Sequence, residues 1–132
     1  MDNISNAFID RLHDEAIALL LTSRDWAGKS IVAVRAAGDP LQSLSIAVAA
    51  MGLTALVTDN VAWTMAQKAV AAGELSEEEA LSERFAPAQL TLDNVAAEAL
   101  PAGLADLIQK AEGFHRRIAL LHSQRQQHHA SA

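Results

Sequence analysis

Cysteine is absent from the 132 residues, and so is tyrosine. Without thiols the chain has no cysteine nucleophile, no zinc–cysteine site and no disulfide staple, a pattern that fits a reducing, cytoplasmic compartment. Proline is scarce, at three residues, and aromatic side chains make up 4 % of the total. Few helix breakers and abundant alanine predict helix over sheet. The opening MDNISNAFIDRLHDE places charges where a secretory signal needs an apolar stretch, so no signal peptide is expected and the mature chain should begin at or near Met1. Basic residues are outnumbered, ten Lys and Arg against sixteen Asp and Glu, for a formal charge of −6. Such a surface repels a polyanion, which argues against nucleic acid and towards protein partners or small ligands.

Also missing are a glycine-rich phosphate loop, a serine-nucleophile motif and a metal-protease pattern. The carboxylates do not pair: Asp14 and Glu15 point to different sides of a helix, and Glu77, Glu78 and Glu79 form a solvated helix start. The expectation is a protein that is not an enzyme and carries no metal or cofactor.

What the sequence does contain is helical periodicity. In the first segment Ile4, Phe8, Leu12, Ala16, Leu19, Leu20 and Trp26 recur at three and four residues, which predicts an amphipathic helix over about 4–26, capped by Asn3 or Ser5. Gly28 suits a stop, and residues 28–40 are expected as a partly ordered loop; SIVAV has strand composition but no partner strand elsewhere. A second helix should start at Pro40 or Leu41 with Asp39 as N-cap and end at Gly73. Ser76 and Glu79 have capping-box spacing before a short helix that Pro87 ends, and residues 88–100 remain ambiguous. The last long helix should run from Pro101 to about Arg125, with Leu104, Leu107, Ile108, Ala111, Phe114, Ile118 and Leu121 facing inward and a basic second half. These elements predict an all-α fold: an antiparallel three-helix bundle in up-down-up order, with a short extra helix before the last. The bundle should span 1–127 as one domain, followed by a disordered tail at 128–132.

The central run, residues 41–67, carries one charge, Asp59. Leu41, Leu44, Val48, Met51, Ala55, Ala62, Met65 and Ala69 form one stripe, while Ile46, Leu53, Leu56, Val57 and Val61 cover much of the remaining surface. A helix apolar nearly all round is either enclosed by protein or lies in a membrane. Its Ala, Ser, Thr and Gly content, the Asp59–Asn60 pair and the lack of flanking basic clusters favour protein, since an acidic residue at a bilayer centre costs about 2.5–3.5 kcal/mol. Two neighbouring helices shield two stripes, so the surplus apolar face predicts a second copy of the chain. Ala49, Gly52, Leu53, Leu56, Val57 and Trp63 are the expected packing or dimer residues.

Among polar candidates, His115 and His122 lie seven residues apart, about 10.5 Å of rise, too far to grip one metal ion. In an up-down-up bundle His13 and His115 lie on parallel helices and would meet, giving a candidate polar or metal site. The competing expectation for each is a half-buried histidine satisfied by a neighbour. A phosphotransfer role through His122 or His115 is a further alternative.

Three stretches bear a family resemblance: FIDRLHDEAIALLLTSRDW, SIAVAAMGLTALVTDNVAWTMAQKAVAAGELSEEEA and LPAGLADLIQKAEGFHRRIALL. Phe8, Arg11, Leu12, Glu15, Ala16 and Arg24, then Leu53, Thr54, Trp63, Gln67, Lys68, Ala69, Val70, Gly73 and Glu74, then Leu100, Pro101, Leu104, His115, Arg117 and Ile118 carry it. The chain resembles the alphaproteobacterial RcdA-like family (regulator of CtrA degradation), also catalogued as domain of unknown function 1465. The resemblance implies a dimeric three-helix bundle acting as an adaptor that helps deliver cell-cycle regulators to a ClpXP-type protease, with a AAA+ unfoldase and response-regulator proteins as partners. Trp26 stands where the family usually has tyrosine, Asp59–Asn60 where it is often arginine- or methionine-rich, and the tail is short. On this reading Glu74, Glu78, Arg116 and Arg117 are the candidate partner-contacting surface.

Overall fold

The computed structural model describes residues 5–36, 38–88 and 100–131. Among these the chain is all-helical, with four α-helices: α1 (Asn6–Ala36), α2 (Pro40–Ala71), α3 (Glu77–Ala80) and α4 (Ala102–Ser131), plus a 3-10 turn at Glu83–Phe85. Ser5 caps α1, its hydroxyl accepting from the Phe8 N–H at 3.1 Å. Asp39 caps α2 by accepting from the Leu41 N–H at 3.0 Å, and Pro40 occupies the first turn. At the other end Gly73 takes φ 77°, which lets the Glu74 and Gly73 N–H groups reach the carbonyls of Ala69 and Val70 at 2.9 and 3.0 Å. The Ser76–Glu79 capping box forms as the spacing predicts.

Two boundaries differ from expectation. α1 does not stop at Gly28 but continues to Ala36, so the expected loop over 28–36 is helix. A lone glycine inside a helix costs about 1 kcal/mol relative to alanine. The following KSIVAVRA contains no breaker, and an Asp25–Lys29 pair at 3.0 Å spans the glycine. α4 likewise runs past Arg125 to Ser131, so residues 128–131, expected as unstructured tail, are helical. That segment has no proline or glycine, and His128 and His129 suit the negative end of the helix dipole.

The direction of the last helix also departs from up-down-up. Asp10 pairs with Lys68 and His13 with Thr64, so α1 and α2 are antiparallel. Asn60 meets His115, Trp63 meets His122 and Gln67 meets Arg125, so α4 runs parallel to α2. Against α1 it is antiparallel: Arg117 pairs with Glu15, and Trp26 packs over Gly103 so closely that a Cβ there would lie 2.8 Å from its ring. A parallel pair needs a connection that returns along the molecule, whereas short joints give antiparallel neighbours. Residues 72–101 supply that length: Leu81 receives a bond from Gln126, Ala88 bonds mid-helix residues of α2 and α4, and Leu100 packs near Leu104.

Two apolar clusters fill the interior. One joins Ile46, Ala49, Leu53, Leu56 and Val57 of α2 to Leu104, Leu107, Ile108 and Ala111 of α4. The other joins Ile9, Leu12 and Ala16 of α1 to Val61, Trp63, Phe114 and Ile118. Burying a side chain such as Leu53 or Phe114 contributes about 1.5–3 kcal/mol. α2 is long and apolar enough, by length and composition, to cross a membrane, and 33 % of its most apolar window is buried inside the chain.

Candidate functional site

Within the apolar run of α2, the polar residues Asn60, Thr64 and Gln67 recur at helical spacing and are all buried, with Asp59 and Trp63 beside them. Buried polar groups need partners, and α1, α4 and the returning connection supply most of them. The Thr64 hydroxyl donates to the Val61 carbonyl at 2.9 Å, so its oxygen accepts the His13 Nδ1–H, also at 2.9 Å. The Asp59 carboxylate accepts from the Ala88 N–H at 3.0 Å. His115 donates from Nε2 to the Ala88 carbonyl at 2.8 Å, and its Nδ1 lies 2.8 Å from Asn60 Oδ1. Asn60 Nδ2 is buried without a partner; turning the carboxamide over would pair it with Nδ1 and leave Oδ1 unpaired in its place.

Trp63 donates from Nε1 to His122 Nδ1 at 3.1 Å, the rings meeting edge-on at 6.3 Å and 70°. The neutral His122 therefore carries its proton on Nε2, which is buried without a partner. Burial, and then the neighbouring Arg125 charge, lower the His122 pKa from the ordinary histidine value. A groove of about 400 Å³ runs beside it, between Pro87 and Ala88 on one side and His115, Ser123 and Gln126 on the other. One turn further along, Arg125 donates from Nη1 to Gln67 Oε1, and its Nη2 lies 3.9 Å from Glu77. Gln67 Nε2 and Arg125 Nε are left buried and unpaired.

His13 and His115 are thus not brought into one group, because each engages a different residue of α2. Among the described residues no three His, Asp or Glu side chains gather as a metal-holding set. Phosphorylation or metal ligation requires a free ring-nitrogen lone pair. Trp63 occupies that of His122, and Asn60 faces that of His115.

Ala49, Leu53, Leu56, Val57 and Trp63 are buried within the single chain and Gly52 is half-buried. The five buried ones pack within the chain. The outward face of α2 is instead the stripe Leu41, Leu44, Val48, Met51, Ala55, Thr58, Ala62 and Met65, all exposed, with Met51 at 73 %. Glu74, Glu78, Arg116 and Arg117 are exposed; Arg117 pairs with Glu15 and lies over the Phe114 ring at 5.0 Å. No motif in the sequence marks the Gln67–Arg125–Glu77 cluster or the Asp59–Ala88 bond. The visible signal was the three- and four-residue spacing of Asn60, Thr64 and Gln67 inside an apolar run.

A family model described as "Protein of unknown function (DUF1465)" matches residues 1–132. No curated protein and no solved structure matches the chain.

Proposed function

The chain belongs to the DUF1465 family, and from that premise we propose that it is a non-enzymatic interaction module working as a homodimer. The observation that supports this is the exposed stripe on α2. Its eight members, from Leu41 to Met65, follow alternating three- and four-residue steps without one charged side chain. That is the pattern of a helix seam, about 36 Å long at 1.5 Å per residue. A contiguous apolar surface of this kind is unusual on a monomer. A second copy offers the same stripe in return, and Ala55, Thr58 and Ala62 at its centre let two helices approach closely about a two-fold axis. The buried Asn60, Thr64 and Gln67, bonded to protein on both sides of α2, favour this use of its apolar surface over a membrane span.

The finer reading follows the resemblance to the RcdA-like family: a three-helix bundle serving in the cytoplasm as an adaptor or scaffold for regulated proteolysis in cell-cycle control. Its partners would be a AAA+ unfoldase of the ClpXP type and response-regulator proteins, met by the exposed charges at Glu74, Glu78, Arg116 and Arg117. Light scattering should give a dimer mass at low micromolar concentration, and Met51→Glu with Val48→Glu should give a monomer of unchanged helicity. A monomeric wild-type chain removes the dimer. Reconstituted degradation with ClpXP, with and without the protein, tests the adaptor role; unchanged rates for every candidate regulator overturn it.

A further inference from the structure

We propose that the end of the molecule where α1 begins and α2 ends holds a binding site for a single carboxylate group. The site is a groove of about 410 Å³ whose lining includes Ser5, Asn6, Ile9, Gln67, Glu77 and Arg125. That volume is enough for a small acid or the last residues of a peptide. Two of the residues that line it each carry a buried donor with no partner: Gln67, only 2 % exposed, at Nε2, and Arg125 at Nε. An unpaired buried donor is destabilising, so an acceptor placed there recovers free energy that folding left unrecovered.

Rotation of the amide does not remove the deficit at Gln67. Its Oε1 accepts from the Arg125 guanidinium, which has donors only, so a flipped amide would set NH2 against N–H. Glu77 forms an ion pair with Arg125 Nη2 at 3.9 Å, and Nε stays without a hydrogen-bond partner. The third element is the start of α1. Ser5 takes the Phe8 N–H, which leaves the Asn6 and Ala7 amides without a partner in the helix and at the positive end of a 31-residue dipole.

Charge and shape select the ligand. One guanidinium, partly offset by Glu77, with the partial charge of one helix terminus, balances one negative charge better than the two of a phosphate. Planar guanidinium and carboxamide donors suit the two in-plane oxygens of a carboxylate. The group has two possible sources, a free small acid or a peptide C-terminus. The inference does not depend on the interaction role proposed above.

The test uses the full chain labelled with 15N, following the side-chain signals of Gln67 Nε2 and Arg125 Nε at constant ionic strength. Sodium acetate or Ala-Ala-Ala with a free C-terminus should shift both signals saturably, and sodium chloride and the C-terminally amidated tripeptide should not. Saturation by acetate alone assigns a free acid; binding of the free-acid peptide at least tenfold tighter than acetate assigns a peptide end. Inorganic phosphate should bind at least tenfold more weakly, and tighter phosphate binding overturns the carboxylate assignment. Gln67→Leu should abolish the saturable shift at Arg125 Nε. Absence of saturation up to 50 mM acetate and 5 mM peptide, or identical titrations in that variant, overturns the site.

Discussion

The two halves of α2 hold their neighbours by different physics. From Ile46 to Val57 the inward side chains are apolar and meet leucine, isoleucine and alanine of α4. From Asp59 to Gln67 the same helix turns hydroxyl, carboxamide and indole groups inward, and each meets a chosen atom of α1, α4 or the returning connection. Apolar burial is strong but non-directional, so it tolerates sliding and reversal. A buried polar group left unpaired is penalised, so a polar half fixes register at some expense of stability. The difference teaches that the first half of α2 supplies adhesion alone, while the second half adds to its own apolar cluster the polar pairs that fix the register of α4.

The comparison can be broken first where the adhesion is largest. Leu53→Ala, at a fully buried position, should destabilise the fold by about 2–5 kcal/mol in urea denaturation. In the polar half Asn60→Ala should cost about 1–3 kcal/mol, and a double-mutant cycle with His115→Ala should show coupling of about 0.5–3 kcal/mol. Additive effects of those two substitutions would separate register from this pair. The pH response sharpens the contrast further. The folded-state pKa of His122 is lowered, so the unfolded chain binds more protons below about pH 6.5. Stability should be full above that value and decline as pH falls towards the folded pKa, by at most about 1.4 kcal/mol per unit. His122→Gln, which keeps an acceptor for Trp63, should flatten this slope. Smallest of all, Leu44→Gln on the outward stripe should change the stability of an isolated chain by less than about 0.5 kcal/mol, while weakening self-association on light scattering.

Much of this was legible in the residues. Asp39, Pro40 and Gly73 mark the ends of α2, Ser76 and Glu79 mark α3, and the inner face of α4 from Leu104 to Ile118 follows its period. The faces of α2 were not legible in the same way. Ile46 and Leu53 point in while Leu41 and Met51 point out, yet all four are equally apolar. A pattern without contrast cannot say which side meets a neighbour. The direction of α4 depends on the route of residues 72–101, a tertiary matter that periodicity does not encode. The candidate site was hidden for a related reason: Gln67, Glu77 and Arg125 are unremarkable singly and acquire meaning only when three elements converge.

The parallel setting of α4 has a kinetic consequence. α1 and α2 are joined by the three residues 37–39, whereas α2 and α4 are joined by residues 72–101, a connection about ten times longer. Loop-closure entropy makes the second encounter costlier by about 2 kcal/mol. During synthesis the α1–α2 hairpin leaves the ribosome first and can close at once, as local contacts do. Until α4 is made, the part of α2 that meets Leu104, Leu107, Ile108 and Ala111 stays bare, like the outer face of the helix. The nascent hairpin therefore passes through an interval with two sticky sides, when chaperone capture or premature pairing with a neighbouring chain competes with the arrival of the last helix.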